Sequence, residues 1–179
     1  GTRRGMAIAI ALWSLAACFH AAARSVLAFI LARVALGLAE SAAYLAISSA
    51  TLTGNHARDG GAVRMQIGSL GQVTIRDNVA TRDGGGVVAT DSLAVSTTTI
   101  SGNTAGGRGG GLLAAGGAVN LSGSTVSGNQ AATGGALFLD NARVELVFVT
   151  VAGNTGTGSA MAFSNPTSGS NLRGSLLAG

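Results

Sequence analysis

The chain has 179 residues, 29 of them Gly and one Pro, with 10% charged and 4% aromatic residues and a formal net charge of +4. Its length suits one ordinary domain, its one cysteine, Cys18, excludes an intramolecular disulfide, and its basic residues, all Arg, are not clustered among stacking aromatics, which excludes a nucleic-acid partner. A glycine excess without a collagen period points to internal repeats.

The charge is unevenly placed. Residues 1–44 carry four arginines (Arg3, Arg4, Arg24, Arg33) against Glu40, a net +3, whereas residues 45–179 carry seven arginines against six acids, a net +1. The first element, Met6 to Ala22, is apolar apart from Ser14 and His20, and after Arg24-Ser25 a second apolar run extends from Val26 towards Tyr44, interrupted by Arg33 and Glu40. Each run is near the length needed to cross a bilayer, so the pattern predicts an α-helical, transmembrane-like hairpin with Arg3 and Arg4 on the cytoplasmic side. Three other readings compete with it, one of them an ordinary buried helical pair, for which there is too little partner domain. Arg3-Arg4, the apolar stretch and Ala21-Ala22-Ala23 have the layout of a signal peptide. A helix capping the repeats would instead show one apolar stripe and one polar face.

Gly1-Thr2-Arg3-Arg4-Gly5 followed by an apolar helix resembles the tail of the loop before the third helix of the major facilitator superfamily. Arg33-Val34-Ala35-Leu36-Gly37-Leu38-Ala39-Glu40 resembles that superfamily's fourth helix, as found in its organic-anion and sugar-acid symporters. The resemblance covers about 44 residues. It implies that Arg33 lines a substrate path and that Glu40 sits near a helix end, in a piece too small to transport anything.

From residue 45 the chain repeats one phrase: Thr51-Leu52-Thr53-Gly54-Asn55, Thr74-Ile75-Arg76-Asp77-Asn78, Thr99-Ile100-Ser101-Gly102-Asn103, Thr125-Val126-Ser127-Gly128-Asn129 and Thr150-Val151-Ala152-Gly153-Asn154. The asparagines Asn55, Asn78, Asn103, Asn129 and Asn154 are separated by 23, 25, 26 and 25 positions, and glycine clusters such as Gly84-Gly85-Gly86 follow the first four. Apolar residues stand three and eight positions before each Asn, and at alternate positions after the glycines, as in Val87/Ala89 and Leu137/Leu139. Spacing by two, β-branched residues and Gly/Asn boundaries predict strands with one buried face, three per unit. Stacking such units gives a mainly β fold, a right-handed parallel β-helix of about five coils over 45–179. In this reading the Asn takes the left-handed conformation at a bend and bonds its neighbours above and below as a turn ladder. Leu172 and Leu177-Ala178-Gly179 begin a sixth repeat, so the chain reads as truncated, with an exposed solenoid end prone to self-association.

Gly60-Gly61-Ala62-Val63, Gly134-Gly135-Ala136-Leu137 and the Ser/Ala-Gly-Asn turns resemble bacterial right-handed β-helix proteins, including polymorphic outer-membrane proteins and autotransporter passengers. That resemblance implies a cell-surface, outer-membrane or secreted adhesin or display scaffold, with glycans or a host surface as partners. A hairpin starting in the cytoplasm would instead return the chain there and tether it to an inner membrane. The two halves therefore read as a chimera joined near Tyr44.

Chemistry has few candidates. Arg58-Asp59 and Arg82-Asp83 precede glycines in adjacent units, so Asp59 and Asp83 would stack about one strand spacing apart, close enough for Ca²⁺, or be neutralised by the arginines. The column continues as Arg108, Thr133 and Thr157, so no acidic groove develops. His20 and His56 lack zinc-type companions, the glycine clusters lack the Lys of a phosphate loop, and no cofactor is expected. The Thr51, Thr74, Thr99, Thr125 and Thr150 column suits an exposed strand, an ice lattice or a glycan. A non-enzymatic structural role is the expectation; a symporter fragment, and a carbohydrate lyase or hydrolase scaffold whose active site is missing, are the alternatives.

Overall fold

The computed structural model describes residues 44–157, 160–165 and 169–178, and Leu45–Gly179 is a compact unit. The expected hairpin, with Cys18, His20, Arg33 and Glu40, lies outside the described residues. Among the described residues no helix is long and apolar enough to cross a membrane. The first strand, Tyr44–Ser48, begins at the residue where the second apolar run was expected to end.

The described chain is a parallel β-solenoid of five coils and half of a sixth. Each coil contributes one strand to each of four sheets, and every sheet pairs a strand with its equivalent one coil away. In the third coil these strands are Leu93–Ser96 (sheet I), Thr99–Ser101 (sheet II), Thr104–Ala105 (sheet III) and Leu112–Ala115 (sheet IV). Sheets I and II hold six strands, the last being Asn171–Arg173 and Leu176–Ala178, whereas sheets III and IV hold five and stop at Thr155–Thr157 and Met161–Ser164.

The repeat register expected from the phrase is the register observed. Thr74, Thr99, Thr125 and Thr150 are aligned in sheet II, as are Ile75, Ile100, Val126 and Val151 beside them. Leu70, Val95, Leu121, Leu146 and Leu172 align in sheet I. Because the side-chain period is two, this alignment sends one column of each strand inward over the whole stack. Ile75, Ile100, Leu112, Leu121, Leu137 and Leu146 are accordingly buried in one continuous core.

Each coil has four strands, not the three expected. The additional strand follows the Asn, and its inward residues are the small Ala57, Ala80 and Ala105, aligned across sheet III. Alanine carries little strand signal, so this element is invisible to a search for alternating large apolar residues.

The Asn residues also differ from expectation in their backbone. The left-handed residue is the one before each Asn: Gly54, Asp77, Gly102, Gly128 and Gly153 have φ of 67°, 56°, 64°, 61° and 59°. The bend therefore falls on a glycine, for which positive φ carries no steric penalty, or on Asp, which tolerates it better than most residues. The following Asn is left free to aim its amide along the stack.

Candidate functional site

Three features rise above the repeating scaffold: the asparagine ladder, a staircase of carboxylates and arginines, and the outer faces of sheets II and IV.

The ladder runs along the corner between sheets II and III. Asn78 Nδ2 donates to Asn103 Oδ1 at 2.8 Å and to the Leu52 carbonyl at 3.0 Å, while the Asn78 backbone N–H donates to the same Asn103 Oδ1 at 3.1 Å. Asn103 repeats the pattern towards Asn129 and the Ile75 carbonyl, and Asn129 repeats it towards Asn154 and the Ile100 carbonyl. Asn55 donates its N–H and Nδ2 to Asn78 Oδ1, both at 2.9 Å. Asn78, Asn103 and Asn129 are fully buried, and each has both side-chain donors and its oxygen paired. Full pairing is what makes a buried amide column stabilising rather than costly. The ladder bonds the coils above and below, as expected, and it is consumed by that task.

A shorter hydroxyl counterpart, not anticipated from the sequence, lies at the corner between sheets I and II. Thr98 Oγ1 accepts from the Val73 N–H, Ser124 Oγ accepts from the Thr98 N–H, and Ser175 Oγ accepts from the Val149 N–H. The mixture of aliphatic Ala50, Val73 and Val149 with hydroxyl-bearing Thr98, Ser124 and Ser175 at this position hides it from a repeat comparison.

The staircase occupies the edge of sheet III. Asp59 and Asp83 are direct cross-strand partners, so the expected stacking holds. Their carboxylates, however, are each held by the arginine of the following coil. Arg82 makes a two-pronged pair with Asp59, Nε to Oδ1 and Nη2 to Oδ2, both at 2.7 Å. Arg108 holds Asp83 through Nη2 at 3.0 Å and through its backbone N–H at 2.8 Å. Arg64 approaches Asp59 at 3.7 Å, and Arg82 approaches Asp83 at 3.9 Å. The Arg82 hydrogen bonds hold the Asp59 carboxyl below the usual carboxylate range. Burial pushes the Asp83 carboxyl up, but the Arg108 side-chain and backbone hydrogen bonds outweigh it and leave the group below its ordinary value. Both carboxylates are therefore ionised and already neutralised, an arrangement that gives a cation little to displace the guanidinium groups. Among the described residues no group of three or more His, Cys, Asp or Glu stands together as a metal site. The column then passes through Arg108 and Thr133 to Thr157, without a third acid. His56 opens a sheet III strand, aligned with Val79, and is exposed there.

Two outer faces remain. On sheet II the threonine column is aligned from coil to coil with exposed or half-buried side chains. On sheet IV the outward positions Val88, Leu113 and Phe138 form a second apolar cluster, separate from the core, with Ala162 packed against it and the Arg108 guanidinium 5.0 Å above the Phe138 ring. Sequence reasoning missed this cluster, although the signal was present: Val87-Val88-Ala89, Leu112-Leu113-Ala114 and Leu137-Phe138-Leu139 are apolar at every position, as strands buried on both faces are.

No protein-family model, no curated protein and no solved structure matches the chain.

Proposed function

We propose that residues 45–179 are a non-enzymatic structural and surface-display scaffold of right-handed parallel β-helix type, whose sheet II face meets glycans or a host surface. The observation that carries this reading is the threonine column, in register through five coils on the outer face of sheet II. Its hydroxyls repeat at about the 4.8 Å strand spacing, a regular polar array suited to a repetitive ligand. The polar groups buried elsewhere serve the scaffold: the ladder amides bond adjacent coils and the carboxylates are held by arginines. Localisation at a cell surface, outer membrane or extracellular space belongs to the same proposal.

The test is a glycan array probed with the full chain and with Thr99→Val/Thr125→Val. The expected result is binding to a restricted set of polysaccharides that the double variant loses while its thermal transition stays in place. Binding indifferent to the two threonines would remove the face from consideration. Release of unsaturated or reducing sugar from any bound polysaccharide would overturn the non-enzymatic reading in favour of a lyase or hydrolase.

For residues 1–44 we infer a foreign front end, a transporter-like membrane hairpin bearing Arg33 and Glu40, joined to the solenoid near Tyr44. Sequence resemblance and the change in composition support it. A continuous read of source DNA across the codons for residues 35–55, repeated in independent isolates, would instead make 1–44 a native membrane anchor.

A further inference from the structure

The corner between sheets I and II is made the same way in every coil. Ser49, Gln72, Thr97, Gly123, Phe148 and Gly174 occupy it, each at a φ between 47° and 56°. Among the described residues seven non-glycine positions have positive φ, and six of them are the polar Ser, Gln, Asp, Thr and Asn. Phe148 is the exception. A bulky side chain with no local hydrogen-bonding group is an outlier in this region.

The fold does not call for a phenylalanine there. The residue is 72% exposed and belongs to neither apolar cluster. The corner requires only a backbone N–H, which Phe148 donates to the Arg173 carbonyl at 2.9 Å, as Thr97 does to Ser122 and Gly123 to Val147. The coil above is in place. The ring lies where a side chain on Gly174 would be, so that a Cβ there would come within 2.6 Å of Phe148 Cε1 and 2.7 Å of Cδ1. In the coil below, Gly123 has nothing within 4 Å of its Cβ position. A ring between two glycines thus keeps a broad apolar surface in water. A single exposed apolar residue is ordinary. One held at a strained backbone position is not, and such strain persists where function uses it.

The surroundings define what the ring can meet. Phe148 stands two residues before Thr150, and Thr125 is aligned with Thr150 one coil below. In coils three to five the outward positions of sheet II are Thr99, Ser101, Thr125, Ser127, Thr150 and Ala152, none of them charged. Arg76, the charged residue of that face, lies three coils away and is paired with Asp77 at 3.4 Å. Arg173 precedes Gly174, but on sheet I, across the corner from the threonines. A ligand along the threonine column therefore meets hydroxyl groups and one apolar ring.

We propose that Phe148 is an aromatic platform for a neutral, β-linked hexopyranose unit of a polysaccharide lying on sheet II. A β-linked glucose carries its hydroxyls around the rim and leaves C–H groups on both faces of its ring. One such face covers Phe148 while rim hydroxyls reach Thr125 and Thr150. Covering the phenyl ring removes apolar area from water, and the threonines fix the register. The proposal rests on the glycan reading of sheet II and adds to it the class of sugar and a residue that selects it.

The probes are two neutral β-glucans, laminarin and hydroxyethylcellulose, and the anionic polygalacturonate, each titrated calorimetrically into the full chain. A β-glucan should bind, and polygalacturonate should not compete with it. Phe148→Asn, which suits the left-handed corner, should weaken that binding about tenfold while the melting temperature holds or rises. Phe148→Trp should keep the affinity. Binding that Phe148→Asn retains but Thr99→Val/Thr125→Val loses would overturn the platform and leave the glycan reading standing. Binding of polygalacturonate alone would overturn the neutral class, and a lower melting temperature for Phe148→Asn would show that the ring serves the fold instead. Absence of binding to both β-glucans also overturns the proposal, and the glycan array then decides separately whether sheet II meets any other sugar.

Discussion

Asn129 sends two hydrogen bonds to a single atom of Asn154: its backbone N–H and its Nδ2 both reach Oδ1, at 3.0 and 2.9 Å. One side-chain oxygen thereby fixes both the backbone position and the amide orientation of the rung below. Since each rung is bound in the same way, a ladder residue is coupled to its neighbours on both sides.

Loss of an interior rung should be severe. In Asn103→Ala the Asn78 N–H and Nδ2 lose their acceptor while buried, and the Ile75 carbonyl and Asn129 Oδ1 each lose a donor. Unmet buried groups cost about 1–3 kcal/mol each, and partial relaxation brings the expected total to about 3 kcal/mol. Asn55→Ala, at an exposed end of the ladder, should cost less than about 1 kcal/mol. Chemical denaturation of the full chain compares the two; equal losses would refute the coupling.

Glycines of two kinds are distinguishable by substitution. A Cβ on Gly110 would collide with the stacked Gly135 carbonyl and with the Gln130 carbonyl carbon at 2.7 Å, backbone atoms that cannot move without parting the coils. Gly123, at φ +52°, has open space where its Cβ would lie. Gly123→Ala should therefore cost only the left-handed conformation, about 1 kcal/mol. Gly110→Ala should prevent the wild-type fold from forming, read as loss of the β-type circular dichroism signal.

Thr97 has φ +47° although it is β-branched and exposed. The equivalent corner positions include Gly123 and Gly174, both also at positive φ. Replacing Thr97 by Asn, which tolerates this region better, should stabilise the protein by up to about 1 kcal/mol. A lower melting temperature for Thr97→Asn would show that the threonine side chain contributes more than its backbone strain removes.

Acid should weaken the staircase. Asp59 and Asp83 have folded-state pKa values below their ordinary ones. Their contribution is therefore fully present above the unfolded value of about 3.9 and is lost as pH falls through the lower folded values. Thermal melts taken from pH 6 downwards should show stability falling below about pH 4. Asp83→Asn should be less stable than the parent at neutral pH and should show a shallower acid decline. An unchanged acid slope in that variant would mean that Asp83 contributes nothing to the pH dependence.

The repeat phrase made much of this legible in advance. Regular spacing of identical residues is a statement about register, because a strand that slips by one position turns its buried column to solvent. Ile75, Ile100, Val126 and Val151 thus announced both the strand and its inward face. The Asp59–Asp83 stacking was legible for the same reason, as was the option of arginine compensation.

What the sequence determined by itself was periodicity: parallel strands, coil length, the inward columns and the Asn ladder, all of which follow from local patterning repeated along the chain. The tertiary structure decided what depends on neighbours one coil away. It placed the left-handed φ on the residue before each Asn, assigned Arg82 to Asp59 and Arg108 to Asp83, and revealed a fourth strand built on alanines. It also showed the outward sheet IV positions to be buried. Those outcomes are set by which backbone atoms come to lie against one another after stacking, a contact pattern that no single repeat contains.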